Sequence, residues 1–172
     1  NAAKGCADER SALPLALVCE DNSVGISVKT PSQWIASAHG NSPDLWYSAC
    51  DGRDLLDVVR AAREVERYVR TTRRPAFLHM KTVRLLGHAG SDVEAAYHTE
   101  RDIARAEAED PLLHSARLVL DEGYLDAGQL VDWYEALRRR MRRVACEAVK
   151  RPKLRTAQQV MRAVVPPARP VA

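Results

Sequence analysis

Three short apolar runs stand out along the chain, at residues 13–19, 45–49 and 75–81. Each has the length of a β-strand and is followed by polar residues, so each predicts a strand. The first run is apolar without interruption, which is typical of a strand that a parallel sheet buries on both faces. We therefore expect three strands, with the first of them buried.

Between and after these runs, apolar residues recur at helical spacing. Asp54 is predicted to cap a long helix that ends near Thr71, and Asp126 is predicted to cap another that ends near Val149. Shorter helical segments are predicted at residues 1–11, where a helix ends, and at 30–39, 100–107, 111–122 and 156–165. Strands that alternate with helices predict an α/β fold with parallel pairing and right-handed crossovers.

The pattern also predicts the domain organisation. Residues 1–149 are expected to form one domain, whose last long helix is a C-terminal extension that packs on or beyond the sheet. Residues 150–172 are rich in proline and predict a linker or a docking tail.

Composition and charge exclude several classes of function. The chain has 172 residues, 28% of them charged, and a formal net charge of +3. This mild basic excess is not typical of a nucleic-acid-binding protein, and the arginine-rich residues 138–143 are expected to form the solvated face of a helix. No apolar stretch approaches the roughly 20 residues that cross a bilayer, so no membrane segment is predicted. The four cysteines lack metal-site spacing, and we expect reduced thiols in a cytoplasmic protein.

Polar residues follow the first apolar run at Asp21 and Asn22, and Gly25 comes shortly after them. One interpretation is a turn in which Asp and Asn side chains bond their own backbone. The other is a metal site, because the Asn22 amide oxygen and the Val24 backbone carbonyl are hard neutral ligands that suit Mg²⁺ beside phosphate oxygens. Ligands of open α/β sheets bind beyond the carboxyl ends of strands, which is where this segment is expected.

Five short motifs resemble those of one enzyme family, in the same order and at fitting separations. Residues 20–27 (EDNSVGIS) resemble the second half of its thiamine diphosphate motif, which opens with Gly-Asp-Gly and closes with Asn-Asn. Residues 82–92 (TVRLLGHAGSD) resemble its Thr-Tyr-Arg-x-x-Gly-His-Ser-x-x-Asp block. The other three motifs are Asp51-Gly52-x-Asp54, Tyr97-His98 and Asp110-Pro111. The family is the α subunit, or the α-like half of a fused α/β chain, of the thiamine diphosphate-dependent decarboxylating component of 2-oxoacid dehydrogenase complexes, and its branched-chain type is most similar.

The resemblance implies a partial thiamine diphosphate-binding fold, in which a parallel sheet is flanked by helices and followed by a helical C-terminal extension. It also implies that the Asn22 side chain and the Val24 backbone carbonyl hold Mg²⁺. Gly25, Ile26 and Arg84 are then expected to bind the cofactor. A guanidinium fork suits diphosphate oxygens because it can donate two parallel hydrogen bonds.

A second group of residues is expected to act at the reacting end of the cofactor. By resemblance, His88 is the catalytic residue, which faces the thiazolium ring. Asp92 and Tyr97 are expected to order the loop that carries this histidine. Ala89 stands where mitochondrial relatives have a regulatory phosphoserine, so we expect that control to be absent, as in a bacterial enzyme.

The implied activity is oxidative decarboxylation of a 2-oxoacid, with acyl transfer to a lipoyl group. The implied partners are a β subunit or β-like half, in a heterotetramer or a fused dimer, and a lipoyl acyltransferase. The chain contains no Gly-Asp-Gly, so we expect a fragment that lacks the N-terminal half and is inactive by itself.

Two alternatives remain open from the sequence. The first is another thiamine diphosphate enzyme of the same fold, similar to acetoin dehydrogenase. The second is a degenerate scaffold without catalysis, since Asp21 and His98 both depart from the family's residues within its motifs.

Overall fold

The computed structural model describes residues 13–165. The chain divides into two compact units, at the bond between Tyr124 and Leu125. The helix end predicted at residues 1–11 and the last residues of the proline-rich tail lie outside the described residues. The assignment of residues 1–149 to one domain and 150–172 to a tail stays a prediction.

The first unit contains the α/β architecture expected from the sequence. Its elements in chain order are β1 (Ala16–Asp21), β2 (Val24–Gly25), β3 (Val28–Lys29), α1 (Trp34–His39), β4 (Trp46–Asp51), α2 (Leu55–Thr72), β5 (Ala76–Lys81), a 3₁₀ turn (Glu94–Ala96), α3 (Glu100–Ala108) and α4 (Pro111–Asp121). The strands of the main sheet lie in the order β1-β5-β4 and are all parallel, whereas β2 and β3 form a small antiparallel hairpin. The predicted parallel sheet flanked by helices is therefore confirmed.

Each face of the sheet has its own apolar cluster. On one face, Leu78 of β5 and Cys50 of β4 pack with Ala61, Val65 and Val69 of α2. These helical residues recur every four positions, so they form one stripe along α2. On the other face, Ile35 of α1 and Leu45 pack with Phe77 of β5. The central strand β5 is thus covered on both faces, and four of its six residues are buried.

The first strand differs from its prediction. It was expected to be buried at residues 13–19, but β1 begins at Ala16 and remains exposed along much of its length. Val18, for example, is 56% exposed. The prediction of burial was wrong because β1 lies at the edge of the described sheet and pairs with β5 alone.

The predicted helix caps are confirmed. The Asp54 carboxylate accepts hydrogen bonds from the amides of Leu56 and Asp57 at the start of α2. The helix expected from residue 30 begins later, at Trp34, because Gln33 just before it has a left-handed backbone with a φ of 60°, which a right-handed helix cannot include.

The second unit, by itself, contains α5 (Ala127–Val149) and the short α6 (Ala157–Met161). Asp126 and Gln129 form a reciprocal capping box at the start of α5, as the predicted cap requires. In the described part of the chain, no helix combines the length and the apolar character needed to cross a membrane.

Candidate functional site

The parallel register brings three strand ends to one edge of the sheet. Asp21 of β1 and Asp51 of β4 both pair with Lys81, the last residue of β5. The loops that follow β1 and β5 therefore leave the sheet side by side, which is where ligands of such sheets bind. Asn22, one residue after β1, and Arg84, three residues after β5, therefore lie at the same edge of the sheet.

The segment after β1 is a tight turn that leads into the hairpin. One carboxylate oxygen of Asp21 accepts from the Ser23 amide at 2.8 Å, and the Asn22 amide oxygen accepts from the Val24 amide at 3.0 Å. Ser23 has a positive φ of 60°, which a serine adopts only when its surroundings hold it there. The turn interpretation is therefore confirmed for this segment.

The same turn leaves oxygen atoms available to a ligand. An amide oxygen has two lone pairs, and the bond from Val24 uses one of those on Asn22. In the hairpin, the Thr30 amide donates to the Ser23 carbonyl across the ladder, so the next pair, Val24 and Lys29, is of the non-hydrogen-bonded kind. Its carbonyls point away from the ladder. The turn and metal interpretations are thus compatible.

Arg84 links the hairpin to the loop that follows β5. One terminal nitrogen donates to the Ile26 carbonyl at 2.5 Å, and the other donates to the Tyr97 hydroxyl at 2.7 Å. Both partners are neutral, so neither contact is an ion pair. Ile26 has a positive φ of 58°, which is rare for a β-branched residue and places its carbonyl toward Arg84.

Asp92 closes the loop that contains His88. Its carboxylate accepts from the backbone amide of His88 at 2.6 Å and from the hydroxyl of Tyr97 at 2.8 Å. The hydrogen bond from the His88 amide, which has the larger effect, and that from the Tyr97 hydroxyl hold the pKa of Asp92 below its ordinary value. Arg84, Tyr97 and Asp92 therefore form one chain from the hairpin to the His88 loop.

Gly87 is required by the close approach within this loop. A Cβ at this position would lie 2.6 Å from the backbone carbonyl oxygen of Asp92. At Gly90, three residues further on, a Cβ would meet nothing within 4 Å. The histidine that follows Gly87 has an exposed side chain and does not line the cleft described next.

An open cleft of about 370 Å³ lies between the hairpin and α3. Asn22, Val24 and Arg84 line it together with Lys29, Arg53 and Arg105. Arg53 is paired with Asp51 and Glu109, and Arg105 is paired with Asp102, so these two charges are already compensated. Within residues 13–165 no carboxylate pairs directly with Arg84, and the wall of the cleft beside Asn22 therefore suits an anion.

The donor set fits a magnesium diphosphate. Neutral hard oxygens from Asn22 and Val24 would leave the negative charge to come from phosphate oxygens, which is how Mg²⁺ is usually held beside a phosphorylated ligand. Arg84 would neutralise the remaining charge. The residues present on this edge thus have the chemistry that the sequence predicted for them, although their roles stay predictions.

Sequence reasoning missed a buried polar chain behind the turn. His79 of β5 is 2% exposed, and its Nε2 lies 3.0 Å from the second carboxylate oxygen of Asp21. Its Nδ1 lies 2.6 Å from the Tyr47 hydroxyl. Burial raises the pKa of Asp21, but hydrogen bonds from Ser23 and His79 outweigh it and lower the pKa overall. A histidine within a strand-length apolar run, and an aspartate at the end of another, were the available signals.

Comparisons with known proteins point in one direction. A family model described as dehydrogenase E1 component matches residues 9–157. The α subunit of mitochondrial 2-oxoisovalerate dehydrogenase from Caenorhabditis elegans is 26% identical over 144 residues, which cover 81% of this chain and 33% of that protein.

Bacterial proteins are similar to the same degree. The 2-oxoisovalerate dehydrogenase α subunit of Bacillus subtilis is 26% identical over 117 residues, with 66% of this chain and 35% of that protein covered. The pyruvate dehydrogenase E1 component α subunit of Rickettsia typhi is 30% identical over 116 residues, with 65% and 35% covered. The chain thus spans about a third of the length of these relatives.

Proposed function

Because the chain belongs to the dehydrogenase E1 component family, we propose that it forms the magnesium and diphosphate side of a thiamine diphosphate site in a 2-oxoacid dehydrogenase. The observation that carries this proposal is the meeting of Asn22, the Val24 carbonyl and Arg84 at one edge of the parallel sheet. Neutral metal ligands and a guanidinium that has no direct ion pair in the described residues are complementary to a diphosphate with its metal.

In this proposal each residue has a separate role. The Asn22 amide oxygen and the Val24 carbonyl hold Mg²⁺, and Arg84 binds diphosphate oxygens while it stays anchored to Ile26. Arg84 has five N–H donors, of which its contacts with Ile26 and Tyr97 use two. The remaining donors are available to phosphate.

The reaction itself depends on the cofactor, which when bound supplies the electron sink for decarboxylation. His88 is proposed to lie against the reacting ring, as the resemblance to the family implies; Asp92 fixes its backbone amide, and its side chain is exposed. An imidazole can donate at one nitrogen and accept at the other near neutral pH, which suits it to orient a reacting group.

The relatives support a proposal for the substrate and the partners. We propose a branched-chain 2-oxoacid or pyruvate as substrate, since proteins named for both are similar to this chain. A β subunit or β-like half and a lipoyl acyltransferase are the proposed partners. An acetoin dehydrogenase-like activity is the alternative within enzymes of this fold.

The scaffold alternative loses part of its support in the structure. Asp21, which departs from the family's first asparagine, has both carboxylate oxygens satisfied, one by Ser23 and one by His79. The departure therefore leaves the turn beside Asn22 intact, so it gives no reason to expect a disabled site.

The test uses the full-length protein assembled with its partner subunit. We expect Asn22→Ala to weaken Mg²⁺-dependent thiamine diphosphate binding by at least about 10-fold, with little change in stability, because the side chain lies at a strand end and leaves no core cavity. Arg84→Lys should also weaken binding, since a single ammonium cannot reproduce the guanidinium fork. Matched controls are Asn41→Ala and Arg70→Lys, which change the same residue types away from the cleft.

His88→Ala should behave differently from both. We expect it to lower the lipoyl-dependent rate while much of the cofactor affinity remains, because the His88 side chain does not line the cleft. Calorimetric dissociation constants and steady-state rates measured for all variants decide the matter. The scaffold alternative would be favoured if His88→Ala kept the wild-type cofactor affinity and lipoyl-dependent rate while Asn22→Ala merely unfolded the protein.

A further inference from the structure

A chain of hydrogen bonds crosses all three strands of the sheet behind the candidate site. It runs from the Tyr47 hydroxyl on β4, through the His79 imidazole on β5, to the carboxylate of Asp21 at the end of β1. His79 is almost fully buried, and the Asp21 side chain is 17% exposed. A buried imidazole with both nitrogens engaged is held in one orientation.

All the hydrogen bonds of this chain can form while the imidazole of His79 is neutral. A neutral His79 that carries its proton on Nε2 donates to Asp21 and accepts at Nδ1 from the Tyr47 hydroxyl. The other oxygen of Asp21 then accepts from the Ser23 amide. Every polar atom of the chain therefore has a partner, and the chain ends on the backbone of the turn that contains Asn22.

We propose that His79 is a positioning residue of the cofactor site, which acts through Asp21 to hold the Ser23 turn and thereby directs the Asn22 amide and the Val24 carbonyl to one metal ion. The inference rests on the proposed function of these two oxygens. It assigns a role to a buried histidine on the central strand, and it explains why an aspartate can stand where the family has asparagine.

The backbone of the turn shows why such support is needed. Ser23 is held at a φ of 60°, a left-handed conformation that is unfavourable for a non-glycine residue. The hydrogen bond from its amide to Asp21 offsets that cost only while the carboxylate stays in place. Without a buried donor at His79, the carboxylate would turn toward water, and the Ser23 turn would relax.

The test compares His79→Leu with His79→Gln in the full-length protein assembled with its partner. Leucine removes the donor to Asp21, whereas the Nε2 of glutamine can occupy the place of the histidine Nε2. We expect His79→Leu to weaken apparent Mg²⁺ affinity by about 10-fold or more at fixed thiamine diphosphate, as is usual when a residue that supports a metal ligand is lost. The lost activity should return as Mg²⁺ is raised, and His79→Gln should restore most of the affinity.

Phe77→Leu is the matched control for a structural effect. Phe77 lies on the same face of the same strand, is buried, and takes no part in the hydrogen-bond chain. We expect it to lower the free energy of unfolding without any change in Mg²⁺ affinity. Equal Mg²⁺ affinity in His79→Leu and Phe77→Leu would overturn the positioning role.

A second pair decides the matter if His79→Leu does not fold. Asp21→Ala breaks the chain at the exposed edge strand, while Asp21→Asn can accept from Ser23 and donate to His79 after the imidazole shifts its proton to Nδ1. We expect a loss of Mg²⁺ affinity in the alanine variant that asparagine rescues; equal losses in both would contradict the inference. Failure of the wild-type protein to bind thiamine diphosphate with Mg²⁺ would instead refute the proposed function itself.

Discussion

Arg53 joins the end of β4 to the end of α3, and its replacement by methionine should cause a pH-dependent loss of stability. Its guanidinium donates two parallel hydrogen bonds to the Asp51 carboxylate, of 2.8 Å from Nε and 2.7 Å from Nη2. Its Nη1 donates to Glu109. This pairing lowers the pKa of Asp51 from 3.8 to about 2. Methionine keeps most of the apolar stem and removes the fork.

The size of the effect follows from the shift. A decrease of about 1.8 in the pKa of Asp51 on folding corresponds to roughly 2.4 kcal/mol of stabilisation at a pH where the carboxyl group is ionised in both the folded and the unfolded state. Asp51 is 40% exposed and Arg53 is 36% exposed, so solvent screening reduces this value. We therefore expect Arg53→Met to lower the free energy of unfolding by about 1 kcal/mol at pH 7.

The sign of the pH dependence is fixed by the lowered pKa. Asp51 is ionised in both states above about pH 5, so the full contribution is present there. As the pH falls from about 4 toward 2, the unfolded state takes up a proton first, and the contribution disappears. The difference between the wild type and Arg53→Met should thus be constant from pH 5 to 7 and fall to about half by pH 3.

Urea unfolding at several pH values measures this difference. A Trp133→Phe background removes the tryptophan of the second unit, so the fluorescence of Trp34 and Trp46 follows the first unit alone. Arg70→Met is the matched control, because Arg70 is 76% exposed and, in the part of the chain that the structure describes, pairs only with Glu66 on the same helix. A difference that stays the same from pH 5 to pH 3, or an equal loss in Arg70→Met, would refute the reasoning.

Two further predictions test the core and the loop. Leu78→Ala should lower the free energy of unfolding by about 3 kcal/mol, because Leu78 is 3% exposed and packs against α2. Val18→Ala, on the exposed edge strand, should lower it much less. Chemical denaturation compares the two variants, and similar losses would contradict the assigned burial. Gly87→Ala should displace Asp92 and weaken cofactor binding, whereas Gly90→Ala should not, because of these two positions the first alone lacks room for a Cβ. Calorimetry on the assembled protein measures the binding of both variants. Equal binding would show that the close approach is not required.

Local patterns predicted the framework of the site well. Apolar runs located the strands to within a few residues, and Asp54 and Asp126 cap helices as their side-chain chemistry requires. The parallel order then placed Asn22 and Arg84 at one edge, because parallel strands end on the same side. These features depend on short stretches of sequence and on general rules of chirality and pairing.

Contacts between distant residues could not be predicted in the same way. The bond from His79 to Asp21 and that from Arg84 to Ile26 each join residues 58 positions apart. No local periodicity encodes such pairs, so His79 looked like any strand histidine. The prediction that β1 is buried was wrong for a related reason, because an apolar run does not reveal whether its strand lies at the edge of a sheet.

The strand order also sets the sequence of events by which the site forms. β4, α2 and β5 are consecutive, and Trp46 pairs with Ala76, whereas Ala16 pairs with the same Ala76 from twice as far along the chain. Each doubling of a closed loop costs about 0.6 kcal/mol more in chain entropy, so β4 and β5 should associate early, with β1 joining last. The Asn22 turn follows β1, so the edge proposed to bind the metal should be the last part of the sheet to appear during folding and the first to detach when the chain begins to unfold.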